Sequence, residues 1–267
     1  MGESTERENS GWGVWNLLDL VLKPLDSLGQ LLELTGKTVA WIFRPPLRVA
    51  QVLNAMDFIG FQSIFIVSLT GIFSGMVLSL QTVYSLKQFS AQGVVGSVVA
   101  ISLAREISPV FTALMVTARA GSAMAAELGN MRVTEQVDAL TTMGVSPIQY
   151  LLSPRLLASV LMMPLLCILY SCVGMGGAYL VAVKWLGVDP GIFVANIEKY
   201  LTFNDLFMGE VKACVFGFLV SAISCRQGFF AKGGAKGVGE ATTRAVVHSA
   251  VAILIANYVI TNWMTPI

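Results

Sequence analysis

An arginine and a glutamate stand side by side near the middle of a long apolar run of this sequence. Arg105 and Glu106 lie within Val94–Ala118. A guanidinium and a carboxylate can bind an anion, pair with each other or relay a proton. A charge at the centre of a bilayer costs at least about 2.5–3.5 kcal/mol, so we expect this pair to face a cavity or a partner. Pro109 follows one turn later and is expected to kink the helix. The alternative is a solvated loop between two short helices, neither long enough to cross hydrocarbon.

A second polar segment follows that run. Thr134 is predicted to be the N-cap of a short helix with Glu135 in its first turn, and Gly144 and Pro147 are expected to end it. Glu135 and Asp138 would project from one face. The other face would hold the apolar positions Val133, Val137, Leu140 and Met143. Such a helix either docks into a groove on a soluble partner or rests on the membrane, and its pattern fits both equally well.

The sequence holds no catalytic constellation and no metal-ligand spacing. The segment 36–38 (Gly-Lys-Thr) resembles the end of a P-loop, but Leu31 stands where that motif needs glycine. The segment 234–239 has the two glycines, but Glu240 replaces the lysine. Neither segment can hold a nucleotide phosphate, so any ATP must be bound and hydrolysed by another chain, and we expect no cofactor here. The remaining candidates lie in apolar runs and are expected to pack in the core: Cys167, Cys172, Cys214, Cys225 and His248.

Composition predicts which elements position these residues. The chain has 267 residues, of which 55% are hydrophobic and 12% charged, whereas soluble domains carry about 25% charged residues. The net charge of +1 gives no basic footprint for nucleic acid. Five apolar runs are long enough to cross a bilayer as helices and do not alternate like strands: Phe58–Leu80, Val94–Ala118, Leu156–Val183, Leu206–Ser224 and Val246–Trp263. We therefore predict an all-α integral membrane protein with five transmembrane helices.

Lysine and arginine distribute unevenly between the two sides of these spans. The side of the N-terminus receives most of them, and the other side receives Lys87, Lys184, Lys199 and Lys212. The positive-inside rule then places the N-terminus in the cytoplasm and the C-terminus outside. Residues 1–57 are expected to form a cytoplasmic tail and interfacial amphipathic helices, ahead of a membrane domain at 58–267. The alternative, a further span at Leu28–Phe43, is disfavoured by Glu33, Lys37 and two prolines.

Small residues recur at helical spacing in two of the spans. Gly71, Gly75 and Ser79 follow one another in the first span, and Gly217 and Ser221 repeat the spacing in the fourth. Such residues let helix backbones approach closely. They predict helix packing, either within this chain or between subunits.

Several motifs in combination resemble the MlaE permease family. They are Leu103-Ala-Arg-Glu-Ile-Ser-Pro109, Ala118-Arg-Ala-Gly-Ser-Ala123, Ala126-Glu-Leu-Gly129, Met131-Arg-Val-Thr-Glu-Gln-Val-Asp-Ala-Leu140, Ser153-Pro-Arg155 and Ala241-Thr-Thr-Arg-Ala-Val-Val-His-Ser249. The resemblance covers about residues 58–265. It implies the permease of an ABC transporter that moves phospholipids between the inner and outer membranes of diderm bacteria. It also implies a homodimer in the inner membrane that binds cytoplasmic ATPase subunits, an MCE-domain protein on the outer side and often a STAS-domain protein.

The resemblance also assigns roles to residues. The segment 134–143 is similar to the family's coupling helix, which contacts the ATPase, with the signature Glu135, Gln136, Asp138, Ala139 and Leu140. Arg105 and Glu106 match family residues near the lipid cavity. A phospholipid needs a cation for its phosphate, so Arg105 is expected to bind the headgroup and Glu106 to orient it or gate the site. Residues after the Gly71/Gly75 contact are expected to line the cavity: Leu78, Gln81, Tyr84, Leu86 and Phe89.

The rival function is a secondary transporter or channel that uses Arg105 and Glu106 as an ion relay. A relay needs several acids within the spans, and Glu106 is interpreted as the only acid deep in one. The short cytoplasmic helix also favours an ATP-driven machine. A scaffold without transport would not explain a charged pair at mid-membrane.

Overall fold

The computed structural model describes residues 29–42 and 48–264, and the described residues are helical or lie in short connections, with no strand among them. Helix α1 spans residues 29–42. The amphipathic pattern predicted before residue 29 lies outside the described residues, as does the C-terminal residue. Within α1, Leu34 is buried against Leu128, Leu151 and Cys225 of the main bundle.

Five helical stretches are long and apolar enough to cross a membrane: Val49–Lys87, Gln92–Val133, Ile148–Trp185, Phe203–Phe229 and Gly234–Met264. The predicted number of spans is therefore confirmed. Each stretch is longer than the apolar run that predicted it, because a helix continues wherever its polar positions find partners or solvent beyond the hydrocarbon. α2 (Val49–Ile59) runs across the predicted domain boundary at residue 58.

Several of these stretches are divided into shorter helices. The first holds α2 and α3 (Ile64–Lys87), and the second holds α4 (Val95–Ser102), α5 (Ser108–Val116) and α6 (Ser122–Val133). Then follow α7 (Gln136–Thr142), α8 (Ser153–Tyr179), α9 (Pro190–Tyr200), α10 (Phe203–Phe229) and α11 (Gly234–Met264).

Wider π-helical turns interrupt the second stretch and form the two ends of the third. They lie at Leu103–Ile107, Thr117–Gly121, Ile148–Leu152 and Leu180–Trp185. Pro109 and Pro154 each follow such a turn by two residues. A proline has no N–H to donate to the carbonyl four residues earlier, so the regular ladder cannot continue through it. π-helical turns of this kind occur frequently at functional sites.

Small residues bring α3 and α8 into close contact. Gly75 packs so tightly that a Cβ added there would lie 1.9 Å from the carbonyl oxygen of Gly174. The Ser79 hydroxyl donates across the same interface to the carbonyl of Ala178, at 3.0 Å. Gly71 faces the backbone of Tyr170. The stripe of small residues in the first span therefore packs against α8 of the same chain.

Large apolar side chains remain exposed along the outside of the described bundle. Examples are Phe65 and Phe73 on α3, Leu165 on α8 and Ile255 and Tyr258 on α11. Exposed apolar surface on this scale is unstable in water and stable against lipid or a partner. The arrangement is that of a membrane bundle whose polar contacts are directed inward.

Candidate functional site

Arg105 and Glu106 are adjacent in sequence but have different partners. Both lie on the π-helical turn Leu103–Ile107, and their side chains diverge. Arg105 Nε lies 3.1 Å from Oδ1 of Asp205, and a terminal nitrogen of the same guanidinium contacts the Met208 sulfur at 3.2 Å. Glu106 Oε1 lies 2.7 Å from Nζ of Lys212. Each charge of the predicted pair is therefore compensated by α10.

Lys212 is the most completely enclosed charge in the described part of the chain, because none of its side chain is exposed. Its ammonium has three donors, and each has an acceptor. They are Glu106 Oε1 at 2.7 Å, the Thr261 hydroxyl at 2.7 Å and the backbone carbonyl of Arg105 at 3.0 Å. A buried charge is tolerated only when it is paired and its hydrogen bonds are made, and Lys212 meets both conditions.

Pro109 removes one backbone donor that the carbonyl of Arg105 could otherwise accept. In a regular α-helix that carbonyl would accept the N–H of residue 109, and proline has none. The ammonium of Lys212 supplies a donor at this position. The kink and the buried lysine are thus parts of one arrangement.

α11 completes the environment of Glu106. Asn257 Nδ2 donates to Glu106 Oε2 at 3.1 Å, and the Thr261 hydroxyl lies 3.3 Å from Oε1. The carbonyl oxygen of the Asn257 side chain is buried and has no hydrogen-bond partner among the described residues. Three spans therefore meet around one carboxylate.

Gly209 lets α10 approach the turn closely enough to make these contacts. A Cβ at this position would lie 2.2 Å from the carbonyl oxygen of Ala104. Asp205 and Lys212 lie one turn before and one turn after that contact, on the same face of α10. Asp205 is also held within α10 itself. Its Oδ2 accepts hydrogen bonds from the backbone N–H and the hydroxyl of Thr202 at the helix start.

The four charges in this cluster differ in their access to the exterior, and Asp205 is 10% exposed. The Lys212 side chain is 0% exposed, whereas Arg105 is 30% and Glu106 is 40% exposed. Lys212 therefore has a fixed structural position. The Arg105 side chain is partly exposed, and one of its terminal nitrogens contacts a thioether sulfur that is only a weak acceptor.

Sequence reasoning missed the partners that α10 contributes. Lys212 was assigned to the outer side of the membrane, which is wrong, because it is buried inside the bundle. The interpretation of Glu106 as the only acid deep in a span was also wrong, since Glu210 lies within the fourth spanning stretch and its Oε2 is buried. The available signal was the spacing of Asp205, Gly209 and Lys212 on one helical face.

The residues predicted to line a lipid cavity lie on α3 and just beyond its end. Leu78 and Leu86 are partly buried against the core, whereas Gln81, Tyr84 and Phe89 are exposed. None of the five makes a hydrogen bond or ion pair with Arg105 or Glu106 in the part of the chain that the structure describes. The exposed members form an open surface of this single chain.

The second predicted site lies on the connection after α6. α7 spans Gln136–Thr142, and Val137 anchors it, being buried beside Leu128, Leu151 and Leu152. Of the signature residues, Glu135, Gln136, Asp138 and Ala139 are exposed, whereas Leu140 is half-buried and packs against the same cluster as Val137. Arg132 holds Asp138 through an ion pair of 2.5 Å.

Two details of this segment differ from the prediction. Thr134 is not the N-cap of α7: it ends α6, and its hydroxyl donates to the carbonyl of Asn130. Glu135 stands at the start of α7 instead, with a left-handed φ of 61°. Val133, the last residue of α6, and Met143 are exposed rather than part of the buried face.

The remaining candidates have local roles. Cys167 and Cys225 are buried as predicted, whereas Cys172 is exposed. His248 is not in the core: it is exposed on α11, and its Nδ1 lies 2.9 Å from Nε2 of Gln227. Among the described residues no group of three or more His, Cys, Asp or Glu is placed to hold a metal ion.

Comparison with known proteins adds an independent finding. The sequence model of the family described as "Permease MlaE" matches residues 52–263. The chain is 44% identical over 241 residues to a probable ABC transporter permease protein of Rickettsia felis, covering 90% of this chain and 93% of that one. It is 41% identical over 228 residues to the intermembrane phospholipid transport system permease protein MlaE of Haemophilus influenzae, covering 84% of this chain and 87% of that one. It is also 39% identical over 231 residues to a probable ABC transporter permease protein of Synechocystis, covering 86% and 88%.

Proposed function

The chain belongs to the MlaE permease family, and on that premise we propose that it is the membrane subunit of an ABC transporter that moves phospholipids between two membranes. The observation that carries the proposal is the unequal exposure of the two buried cations. Lys212 is completely buried and uses all its donors, whereas the Arg105 side chain on the neighbouring helix is 30% exposed. A cation held open inside a membrane bundle suits an anionic ligand that arrives through lipid.

Arg105 is the proposed headgroup ligand. Asp205 fixes the guanidinium through Nε, so the terminal nitrogens are not used by this ion pair. One terminal nitrogen contacts the sulfur of buried Met208, and the other is proposed to donate to a phosphate oxygen, a much stronger acceptor than a thioether. Glu106 is held by Lys212 and Asn257, so its proposed role is to fix the turn that carries Arg105.

The acyl chains are proposed to lie along the α3 surface formed by Leu78, Gln81, Tyr84, Leu86 and Phe89. A single chain leaves part of this surface open, so a second copy of the chain is proposed to enclose it as a homodimer. Gly71 and Gly75 are already occupied by α8. The dimer contact is therefore assigned to other faces.

α7 is the proposed coupling helix to a separate ATPase. Val137 ties the helix to the bundle, while Glu135, Gln136, Asp138 and Ala139 remain available for a partner. The two P-loop-like segments support the need for that partner. The segment 36–38 lies inside helix α1, and the segment 234–239 opens α11, so neither forms a phosphate loop after a strand.

The chain is proposed to lie in the inner membrane, as expected for a multi-pass relative of the Haemophilus protein. Arg132, Arg155 and Arg226 lie at the end of the bundle that carries α7, which supports a cytoplasmic position for that end and for the N-terminus. The C-terminus would then be periplasmic. An MCE-domain protein on the outer side and a STAS-domain protein on the inner side are the further proposed partners.

Purification from membranes tests the function directly. The chain should co-purify with an ATPase subunit and with phospholipids, and the complex in liposomes should move labelled phospholipid only when ATP is supplied. The rival, a secondary transporter, predicts movement driven by a proton gradient without ATP. Glu210 is a second acid within a span, as a proton-driven transporter would need. Transport driven by a proton gradient in the absence of ATP must therefore be measured as a control.

A further inference from the structure

A cleft of about 260 Å³ opens at the end of the bundle opposite the Arg105 cluster. α2, α6 and the start of α8 form its walls. Its polar and aromatic lining consists of Gln51, Asn54, Phe58, Glu127, Tyr150 and Arg155. Glu127 follows Arg105 by 22 positions along the same spanning stretch. At 1.5 Å per residue this separates them by about 30 Å, so the cleft is a different site.

The cleft is lined by a positively charged and a negatively charged side chain that are in contact with each other. Arg155 and Glu127 form an ion pair of 2.9 Å, in which the arginine side chain is 13% exposed and the glutamate 54%. A second cation stands at the rim, because the guanidinium of Arg48 lies 4.6 Å from the ring centre of Tyr150. One arginine and one carboxylate therefore line the cleft, and a second arginine lies beside its aromatic lining residue Tyr150.

One acceptor in the cleft lacks a donor. The side-chain oxygen of Gln51 is buried and has no hydrogen-bond partner among the described residues. A buried acceptor without a donor costs about 1–3 kcal/mol. A ligand that brings an N–H group into the cleft would remove this cost.

The cleft lies where the spanning stretches begin. Its walls come from the first turns of Val49–Lys87 and Ile148–Trp185, and the predicted apolar runs begin at Phe58 and Leu156. This places it beside the hydrocarbon boundary, at the depth of lipid headgroups. A soluble metabolite would have to leave water for this position, whereas a membrane lipid is already there.

We propose that this cleft binds the phosphoethanolamine headgroup of a phospholipid from the adjacent leaflet. The phosphate accepts hydrogen bonds from Arg155, with Arg48 adding positive charge beside Tyr150, and the ammonium donates to Glu127 and to the orphaned oxygen of Gln51. A choline headgroup has no N–H to donate, and a glycerol headgroup has no cation for Glu127. The site therefore distinguishes phosphatidylethanolamine from both.

Native mass spectrometry of the purified full-length protein tests this assignment. Equimolar phosphatidylethanolamine, phosphatidylcholine and phosphatidylglycerol are added, and the retained lipids are counted. Wild type should retain phosphatidylethanolamine in several-fold excess over phosphatidylcholine. Glu127→Gln should lose that excess and retain more phosphatidylglycerol, whereas Glu240→Gln, an equal charge change on α11, should behave as wild type. An unchanged lipid ratio in Glu127→Gln would overturn the proposal.

A second measurement does not depend on any variant. Phosphatidylethanolamine with a photoreactive headgroup should crosslink wild-type protein at residues 51–58 and 148–155, and crosslinks only near Leu103–Ile107 would refute the site. Soluble phosphoethanolamine has the same headgroup chemistry without acyl chains. Competition with it therefore distinguishes a membrane lipid from a soluble ligand. Short-chain phosphatidylethanolamine should displace the crosslink at concentrations where phosphoethanolamine does not. Equal displacement by both would assign the cleft to a soluble ligand instead.

Discussion

The ammonium of Lys212 donates to the backbone carbonyl of Arg105, at 3.0 Å, at the one carbonyl that Pro109 leaves without an N–H in a regular helix. The same ammonium neutralises Glu106. A side chain from α10 thereby donates a hydrogen bond to the backbone of the turn that carries Arg105. The position of the accessible arginine depends on a lysine that never reaches the surface.

Removal of the lysine should therefore destabilise the fold before it affects any ligand. Lys212→Met strands Glu106, and breaking a buried pair costs about 3–5 kcal/mol. Because Glu106 is partly exposed, we expect the lower end of that range. The double variant Lys212→Met/Glu106→Gln should recover most of the loss. Thermal unfolding in detergent measures this, with Lys236→Met as the exposed control, and a single variant no less stable than the double would refute the pairing.

The backbone part of the arrangement has its own test. Pro109→Ala supplies an N–H that the Arg105 carbonyl can accept, so it should reduce the need for Lys212. We expect Lys212→Met to cost about 1 kcal/mol less in the Pro109→Ala background, the usual net value of one hydrogen bond. A double-mutant cycle of thermal stability gives this difference. Equal costs in the two backgrounds would mean that the carbonyl contact is incidental.

The sequence was sufficient to predict the spans and the importance of Arg105 and Glu106, because a charge in an apolar run is visible without any structure. It was not sufficient to predict the partners of these two residues. Adjacent residues on a helix point about 100° apart, so two neighbouring charges find partners on different helices, and those partners depend on packing. Lys212 was misplaced because charges were sorted by their nearness to the span ends. Its spacing from Gly209 was the better guide.

Gly75 offers a test of the packing between α3 and α8. Gly75→Ala would place a Cβ 1.9 Å from the carbonyl oxygen of Gly174, which only a backbone shift can relieve. Overpacking of this kind costs about 1–3 kcal/mol. Gly176→Ala is the matched control, because a Cβ at Gly176 meets nothing within 4 Å. Size-exclusion profiles and melting temperatures should separate the two, and equal behaviour would contradict the close contact.

The proposed coupling helix is tested by charge reversal. Glu135→Lys should release the ATPase while the permease still inserts, because Glu135 is exposed and makes no ion pair in the described structure. Asp138→Lys should do the same, with an added small loss of stability from the lost Arg132 ion pair. Glu240→Lys on α11 is the control. Co-purification of the ATPase with Glu135→Lys at the wild-type ratio would identify α7 as a helix that only rests on the membrane.

The local structure of α7 shows another limit of sequence reasoning. Thr134 and Glu135 both suit a helix start by type, yet the chain ends α6 at Val133 and turns through a left-handed Glu135. The helix is fixed from outside, because Val137 is buried against residues from α6 and the turn before α8. Tertiary packing therefore decided the boundary between two short helices that local signals left open.

The central claim is that Arg105 binds the lipid phosphate, and photo-crosslinking of a phosphate-proximal phospholipid probe at position 105 tests it most directly. Wild type should crosslink on the Leu103–Ile107 turn. Arg105→Lys should retain part of the signal, because it keeps the charge but loses the fork of donors. Arg105→Ala should retain less, and Arg105→Glu least, with transport falling in the same order and ATPase co-purification unchanged. A stable Arg105→Glu protein with wild-type crosslinking and transport would contradict the account.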